Sequence, residues 1–478
     1  MTQEKTAVSI SKKTAVKERK VSMKKRMLAA ILSGIMVITG ISACSGNAAT
    51  SSENSSASTT TTTTTTTKAE TTAATTTTTT TATQNPEPAP AETKGDSVQF
   101  SQNLMPGWNL GNQLESNSDG TPSETAWGNP VITENLIKQV KAQGFKSIRI
   151  PVSYLSKIGE GPDYTIDSKW LDRVQEVVDM CIDNGLYAII NVHGDGYYSI
   201  KGGWLLCGEP ASEQETIKAK YEKVWEQIAN RFKNYDDHLV FESMNEVFDG
   251  SYGNPKPEYY NNINAYNQIF VDSVRATGSN NEKRWLLLPG WNTNIEYTAG
   301  DDYNFKIPTD NGCKADGKRI MISVHYYDPF NFTIDENKTA KTQWGKYAVK
   351  NYDNWGQEDY VDSQMALLNE KFVSQGYPVV IGEFGAQDKT EKFADYNEFR
   401  RYWAEYLIKA AKKNGVVCVY WDNGYNGNKG FGIINRFDYT ITQPDLIAGM
   451  MRAINSTDDY EIPSPAGYTE VRKSAKAS

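Results

Sequence analysis

Eight short apolar runs, rich in Val, Ile and Leu and too short for helices, punctuate the chain from residue 106 onward. They span 106–112, 145–151, 186–193, 239–246, 284–290, 320–327, 378–383 and 416–422. Runs of that length and composition predict buried strands. Between most of them the apolar positions change to helical spacing. Leu171, Val174, Val177, Val178, Cys181 and Ile182 mark one face of a helix with Asp167 or Ser168 as its cap. Ser212 to Glu215 has capping-box spacing ahead of a second helix, and Phe399 to Lys413 has the pattern of a third. Gly144, Gly185, Gly376 and Gly415 each close a helical pattern and precede an apolar run directly. Glycine there suits the left-handed cap of a helix-to-strand turn. Alternating β and α patterns with near-continuous apolar strands imply a parallel sheet, and eight such units imply a closed (β/α)8 TIM barrel. The alternative, a doubly wound open sheet, lacks support because no glycine-rich phosphate loop follows the first strand.

Polar residues able to do chemistry fall at the C-terminal ends of these runs, the face on which such barrels carry their sites. Arg149 ends the second, His193 the third, and Asn245 and Glu246 the fourth. His325 and Tyr327 end the sixth, Glu383 the seventh, and Trp421 falls in the eighth. A carboxylate at the tip of a core strand is costly to desolvate unless it has a partner or a task. Two on one rim can flank a single bond, the requirement for hydrolysing a glycosidic linkage. The chain has three His; the remaining one, His238, lies in a polar loop and reads as structural or solvated.

Composition divides the chain. Residues 1–26 hold nine Lys/Arg and two Glu, and a short apolar stretch follows, a signal-peptide pattern assigned to 1–43. Ile41-Ser-Ala-Cys44 resembles a bacterial lipobox, which would make Cys44 the lipid anchor; ordinary cleavage with Cys44 incidental is the alternative. Residues 44–96 are Ser-, Thr- and Pro-rich and cannot bury a core, so they read as a disordered linker. The catalytic domain is placed at 97–458 and a C-terminal tail at 459–478. The formal charge is −8; with the +7 of residues 1–26 (nine minus two) set aside, the rest carries −15. That disfavours nucleic acid or an anionic polymer and suits a neutral partner. Cys181 falls in a helical pattern and Cys418 in a strand, so both read as buried hydrophobes; Cys207 and Cys313 are unassigned. Neither clustered His nor Cys-x-x-Cys suggests a metal, and no cofactor is expected.

Taken in order, Gly107-Trp-Asn-Leu-Gly-Asn112, Arg149-Ile-Pro151, Asn191-Val-His193, Asn245-Glu246, His325-x-Tyr327, Gly382-Glu383-Phe-Gly385 and Trp421 resemble glycoside hydrolase family 5. The resemblance spans essentially the whole domain, and its subfamily is that of endo-β-1,4-glucanases and xyloglucanases. It implies a retaining endo-glycosidase with Glu246 as acid/base and Glu383 as nucleophile. Arg149 and Tyr327 are then expected to hold Glu383 ionised, and Glu246 to begin protonated. Asn245 is expected at the sugar 2-hydroxyl, His193 and His325 as positioning groups, and Trp421, Trp204 and Trp291 along the cleft. Many relatives carry a second His after His193, where this chain has Gly194, a change expected to open the cleft locally. The implied substrates are cellulose-type glucan, mixed-linkage β-glucan or xyloglucan. A β-mannanase of the same fold and a surface glycan-binding protein without catalysis are the rivals. The expected setting is extracellular, as a surface lipoprotein held to the membrane by its anchor or as a secreted protein, with a monomeric catalytic domain.

Overall fold

The computed structural model describes residues 96–471; the signal-peptide stretch, Cys44 and nearly all of the linker lie outside them. Each apolar run forms a strand: β1 (Gly107–Leu110), β2 (Ser147–Ile150), β3 (Tyr187–Asn191), β4 (Leu239–Glu242), β5 (Leu286–Pro289), β6 (Ile320–Tyr326), β7 (Val379–Phe384) and β8 (Val416–Asp422). All pair in parallel, each with its sequence neighbours, and β1 closes on β8 into a barrel. The helices that follow the strands are α1 (Glu134–Ala142), α2 (Ser168–Asp183), α3 (Ala211–Phe232), α4 (Pro257–Ala276), α5 (Ile295–Ala299), α6 (Glu358–Lys371), α7 (Tyr396–Lys413) and α8 (Pro444–Asn455). The fifth unit has only the five-residue α5, capped by Asn294.

Local chemistry explains most boundaries. Asp167, rather than Ser168, caps α2 by accepting from the N–H groups of Lys169 and Trp170. The helix then buries Trp170, Leu171, Val174, Val177, Val178 and Cys181 against the barrel. Each such aliphatic side chain contributes about 1.5–3 kcal/mol. The capping box expected at Ser212 does not form. Pro210 is the cap residue, with no side-chain bond, and its carbonyl accepts from Glu213 and Gln214, so Ser212 lies inside the first turn. Gly144, Gly185, Gly376 and Gly415 have φ of 97°, 69°, 80° and 72°, the left-handed turn their positions suggested.

The strand tips differ from the sequence expectation at one place that matters. β4 ends at Glu242, not at Glu246. Beyond it the chain leaves the ladder, with Asn245 N–H bonding to Val192 O at 3.0 Å, and Glu246 stands on a loop. At the opposite end of the barrel the Asp96–Gln102 helix lies beneath the strand starts. Its Phe100 stacks on Trp285 with centroids 4.3 Å apart, Ser97 bonds to Lys318 O and Gln102 to Gly415 O. Residues 459–471, past the boundary drawn at 458, follow the outside of α7. There Arg401 donates to the carbonyls of Pro463 and Ser464, and Tyr468 packs edge-on against Phe399. The thiols of Cys181, Cys207 and Cys418 are buried and unbridged, and Cys313 is half-buried and free. No helix among the described residues is long and apolar enough to cross a membrane.

Candidate active site

Arg149 organises the C-terminal rim. It points into the barrel from β2, is fully buried, and spreads its guanidinium over four partners. Nε donates to Glu242 at 2.7 Å, Nη1 to Glu383 at 2.8 Å and to Asn109 at 3.0 Å, and Nη2 to Asn245 at 2.7 Å. Strands β1, β2, β4 and β7 and the loop after β4 therefore meet at one cation. Such a fork bonds planar carboxylates with fixed geometry, which lysine cannot do.

Glu383 also accepts from Tyr327 Oη at 3.0 Å. Glu246 accepts from Tyr197 Oη at 3.0 Å and is hydrogen-bonded to His325 Nδ1 at 2.8 Å, while the same nitrogen lies 3.6 Å from Glu383. Asn245 donates to Tyr197 at 2.9 Å, so its amide bridges Arg149 and that hydroxyl. Burial, and then the facing carboxylates, push the Tyr197 and Tyr327 hydroxyls well above their ordinary range, keeping both as donors. Burial, followed by the charge of Arg149, pushes His193 well below its ordinary value, so its ring is neutral. Asn191 donates to His193 Nδ1 at 3.2 Å and to Glu242 at 2.9 Å, which leaves the His193 proton on Nε2. The His193 ring lies nearly parallel to that of Trp421, with centroids 6.2 Å apart.

Single oxygens of Glu246 and Glu383 and a nitrogen of His325 all lie within 4.8 Å of one another. Among the described residues this is the group with the spacing of a metal site. Two carboxylates, Glu242 and Glu383, contact the guanidinium, and a third, Glu246, faces His325. Burial pushes the Glu383 carboxyl up, against the pull of His325 and Arg149. Burial opposes ionisation of Glu246 too, yet the hydrogen bonds from His325 and Tyr197 outweigh it and leave that carboxyl below its usual value. His325 Nδ1 lies 2.8 Å from Glu246, and Glu242 shares the Arg149 guanidinium at 2.7 Å.

Arg149, His193, Asn245, Glu246, His325, Tyr327, Glu383 and Trp421 thus converge. Of the other two aromatic candidates, Trp291 is enclosed and Trp204 is half-buried. Trp291 is only 1 % exposed, packed edge-on against Tyr260, and offers no open face. Trp204 gives its indole N–H to Asp195 at 2.6 Å and has the Lys220 ammonium 4.5 Å over its ring. Gly194 does not open the cleft either. It is buried, and a Cβ there would come within 2.5 Å of the Ser153 hydroxyl oxygen, which accepts from the Gly194 N–H. Sequence reasoning passed over Glu242, Asn109 and Tyr197. Glu242 and Asn109 carried a signal, since each is a polar residue within an apolar strand; Tyr197 carried none, because the short turn at Gly194–Gly196 decides where it lands.

A closed eightfold barrel whose rim holds two carboxyl groups this near, each with its own hydroxyl donor, defines a glycoside hydrolase. Residues 111–427 match the family model described as cellulase (glycosyl hydrolase family 5). Endoglucanase A of Paenibacillus barcinonensis is 54 % identical over 364 residues, covering 75 % of this chain and 90 % of that protein. A family 5 xyloglucanase from Paenibacillus pabuli, solved with ligand, superposes with a TM-score of 0.73 at 56 % identity, covering 75 % of this chain and all of the other. A family 5 lichenase from a Caldicellulosiruptor species gives 0.66 at 36 % identity, over 77 % of this chain and 99 % of that one. The chain belongs to glycosyl hydrolase family 5.

Proposed function

We propose that this chain is an endo-acting β-1,4-glucan hydrolase that retains anomeric configuration. The observation that carries this is the pair Glu246 and Glu383, with oxygens within 4.8 Å of each other. Double displacement needs carboxyl groups about 5 Å apart, whereas inversion needs about 6.5–9.5 Å to admit a water. Glu383, held by Arg149 and Tyr327, attacks the anomeric carbon. Glu246 delivers its proton to the leaving oxygen and then takes one from water. In the reactive state Glu246 carries the proton, with His325 Nδ1 2.8 Å away, and Glu383 is the anion of the pair, facing Arg149. Covalent bonding of Glu383 removes its charge and lowers the proton affinity of Glu246, which, having given its proton to the leaving oxygen, stays ionised as the base for water. Asn245, anchored by Arg149, meets the sugar 2-hydroxyl; His193 offers Nε2–H, and Trp421 offers a stacking face.

The named relatives act as endoglucanases, a xyloglucanase and a lichenase, which supports β-1,4-glucans, including branched and mixed-linkage ones, as substrates. The signal peptide at 1–43, a lipid on Cys44 and the linker at 44–96 would hold the domain outside a bacterial cell within reach of polymer. The test is viscometry on xyloglucan, mixed-linkage glucan, carboxymethyl cellulose and mannan. Viscosity should fall well before reducing sugar accumulates on the glucans. Cleavage of mannan alone would move the substrate to the manno series, and no cleavage would leave a binding protein.

A further inference from the structure

We infer that a one-residue bulge at Gly382, pinned by Asn109, is what turns Glu383 into the cleft, and that Asn109 is a positioning residue for the nucleophile. The inference rests on the reading of Glu383 as nucleophile given above.

Both neighbours of β7 record the bulge. Against β6 the pairs run Ser323 to Val380 and Val324 to Ile381, and then His325 meets Glu383. Against β8, Cys418 pairs with Ile381 but Tyr420 pairs with Phe384. In each ladder β7 holds one residue too many. Side chains alternate across a strand, so one extra residue reverses the facing of everything beyond it. Ser323 points inward, since its hydroxyl bonds Glu242, and its partner Val380 therefore shares that face. Ile381 then faces the helices. In a regular strand Gly382 would follow inward and Glu383 would face outward. The bulge gives the inward facing to both, and Glu383 lands beside its partner His325.

Two contacts hold the extra residue. An ideal Cβ on Gly382 would lie 3.2 Å from His325 Nε2 and 3.4 Å from Ser323 Oγ, so the position is filled by its neighbours. The Gly382 carbonyl accepts from Asn109 Nδ2 at 2.8 Å. The Asn109 oxygen accepts from Arg149 Nη1, the nitrogen that also donates to Glu383. One fully buried amide thus fixes the peptide preceding the nucleophile and, at its other end, the cation that aims the nucleophile's carboxylate. Displacement of a reacting atom by about 1 Å costs on the order of 100-fold in rate.

The test is the rate at which a 2-deoxy-2-fluoro cellobioside with an activated leaving group labels Glu383, followed by peptide mass mapping, in wild type, Asn109→Ala and Asn109→Asp. The fluoro sugar forms the C1–O bond to the Glu383 carboxylate as the leaving group departs with the C1–O electron pair, and turnover is slow enough to count adducts. Ala removes the whole amide; Asp retains an acceptor for Arg149 and removes the donation to Gly382 together with the longer ones to Val419 and Tyr420. Both should label about 100-fold more slowly across pH 5–8, with cellotetraose affinity by calorimetry within about threefold of wild type. A purely structural role would lower the melting temperature and leave the labelling rate of the folded protein unchanged. Folded Asp or Ala protein labelled within about threefold of the wild-type rate overturns the inference while Glu383 remains the nucleophile. Label on any residue other than Glu383 in wild type overturns both.

Discussion

Glu242 is the sharpest place to test the electrostatics, because three buried donors converge on one carboxylate that touches no solvent. Arg149 Nε donates at 2.7 Å, Ser323 Oγ at 2.8 Å and Asn191 Nδ2 at 2.9 Å. Glu242→Ala strands all three. Removing one partner of a buried ion pair costs about 3–5 kcal/mol. Arg149 retains acceptors at Asn109, Asn245 and Glu383, which places the expected loss near the lower end, about 3 kcal/mol. Glu242→Gln keeps the shape and one carbonyl oxygen but turns an NH2 toward a donor, for about 2 kcal/mol. Urea unfolding at pH 7 with an unchanged slope measures both. The pH profile gives an independent reading with a definite sign. A neighbouring negative charge raises a carboxyl pKa, so its removal lowers that of Glu383 and commits the Arg149 charge to it. The acid limb of kcat/KM in Glu242→Gln should therefore move to lower pH, by about one unit for each 1.4 kcal/mol of lost repulsion. A loss under about 1 kcal/mol for Glu242→Ala, or an acid limb that moves upward in Glu242→Gln, would refute the picture of Glu242 as a charged counterweight to Glu383.

Four other outcomes are expected. Glu246→Ala and Glu383→Ala should each fold and lose several orders of magnitude in activity. With azide and an activated aryl glycoside the first should give the β-azide and the second the α-azide or nothing, and the opposite pairing would exchange the two roles. Early-time proton NMR of wild-type hydrolysis should show the β-anomer first; an α-anomer first means inversion. Gly194→Ala should cost about 1–3 kcal/mol through overpacking against Ser153, with the ratio of xyloglucan to carboxymethyl cellulose activity unchanged; a changed ratio at full stability would return Gly194 to the cleft. Cys44→Ser should release the full-length protein from detergent-partitioning membranes, whereas a soluble wild-type protein whose mature N-terminus is elsewhere ends the anchor proposal.

Local rules wrote much of the fold into the chain. Strand period, helix spacing and glycine at the helix-to-strand turns depend on neighbours a few residues away, so eight βα units and the polar tips at Arg149, His193 and Glu383 were legible before any contact was known. The capping box at Ser212 failed because Pro210 is itself a local signal, and the stronger one for a helix start.

What the sequence could not determine is whatever barrel closure decides. Arg149 meets Glu242 across 93 residues and Glu383 across 234, and no window of sequence contains both pairs. His325 Nδ1 lies 2.8 Å from Glu246 and 3.6 Å from Glu383, distances set by packing between β6, β7 and the loop after β4. Likewise Trp291 and Trp421 look alike as aromatic residues near strand ends, yet one is enclosed against Tyr260 and the other lies beside His193. Residue types and their strand positions were fixed by local alternation. Which side chains share a proton, a charge or an open face was fixed by the order in which closure brings the strands together, because Coulomb and packing energies depend on distance through space and not along the chain.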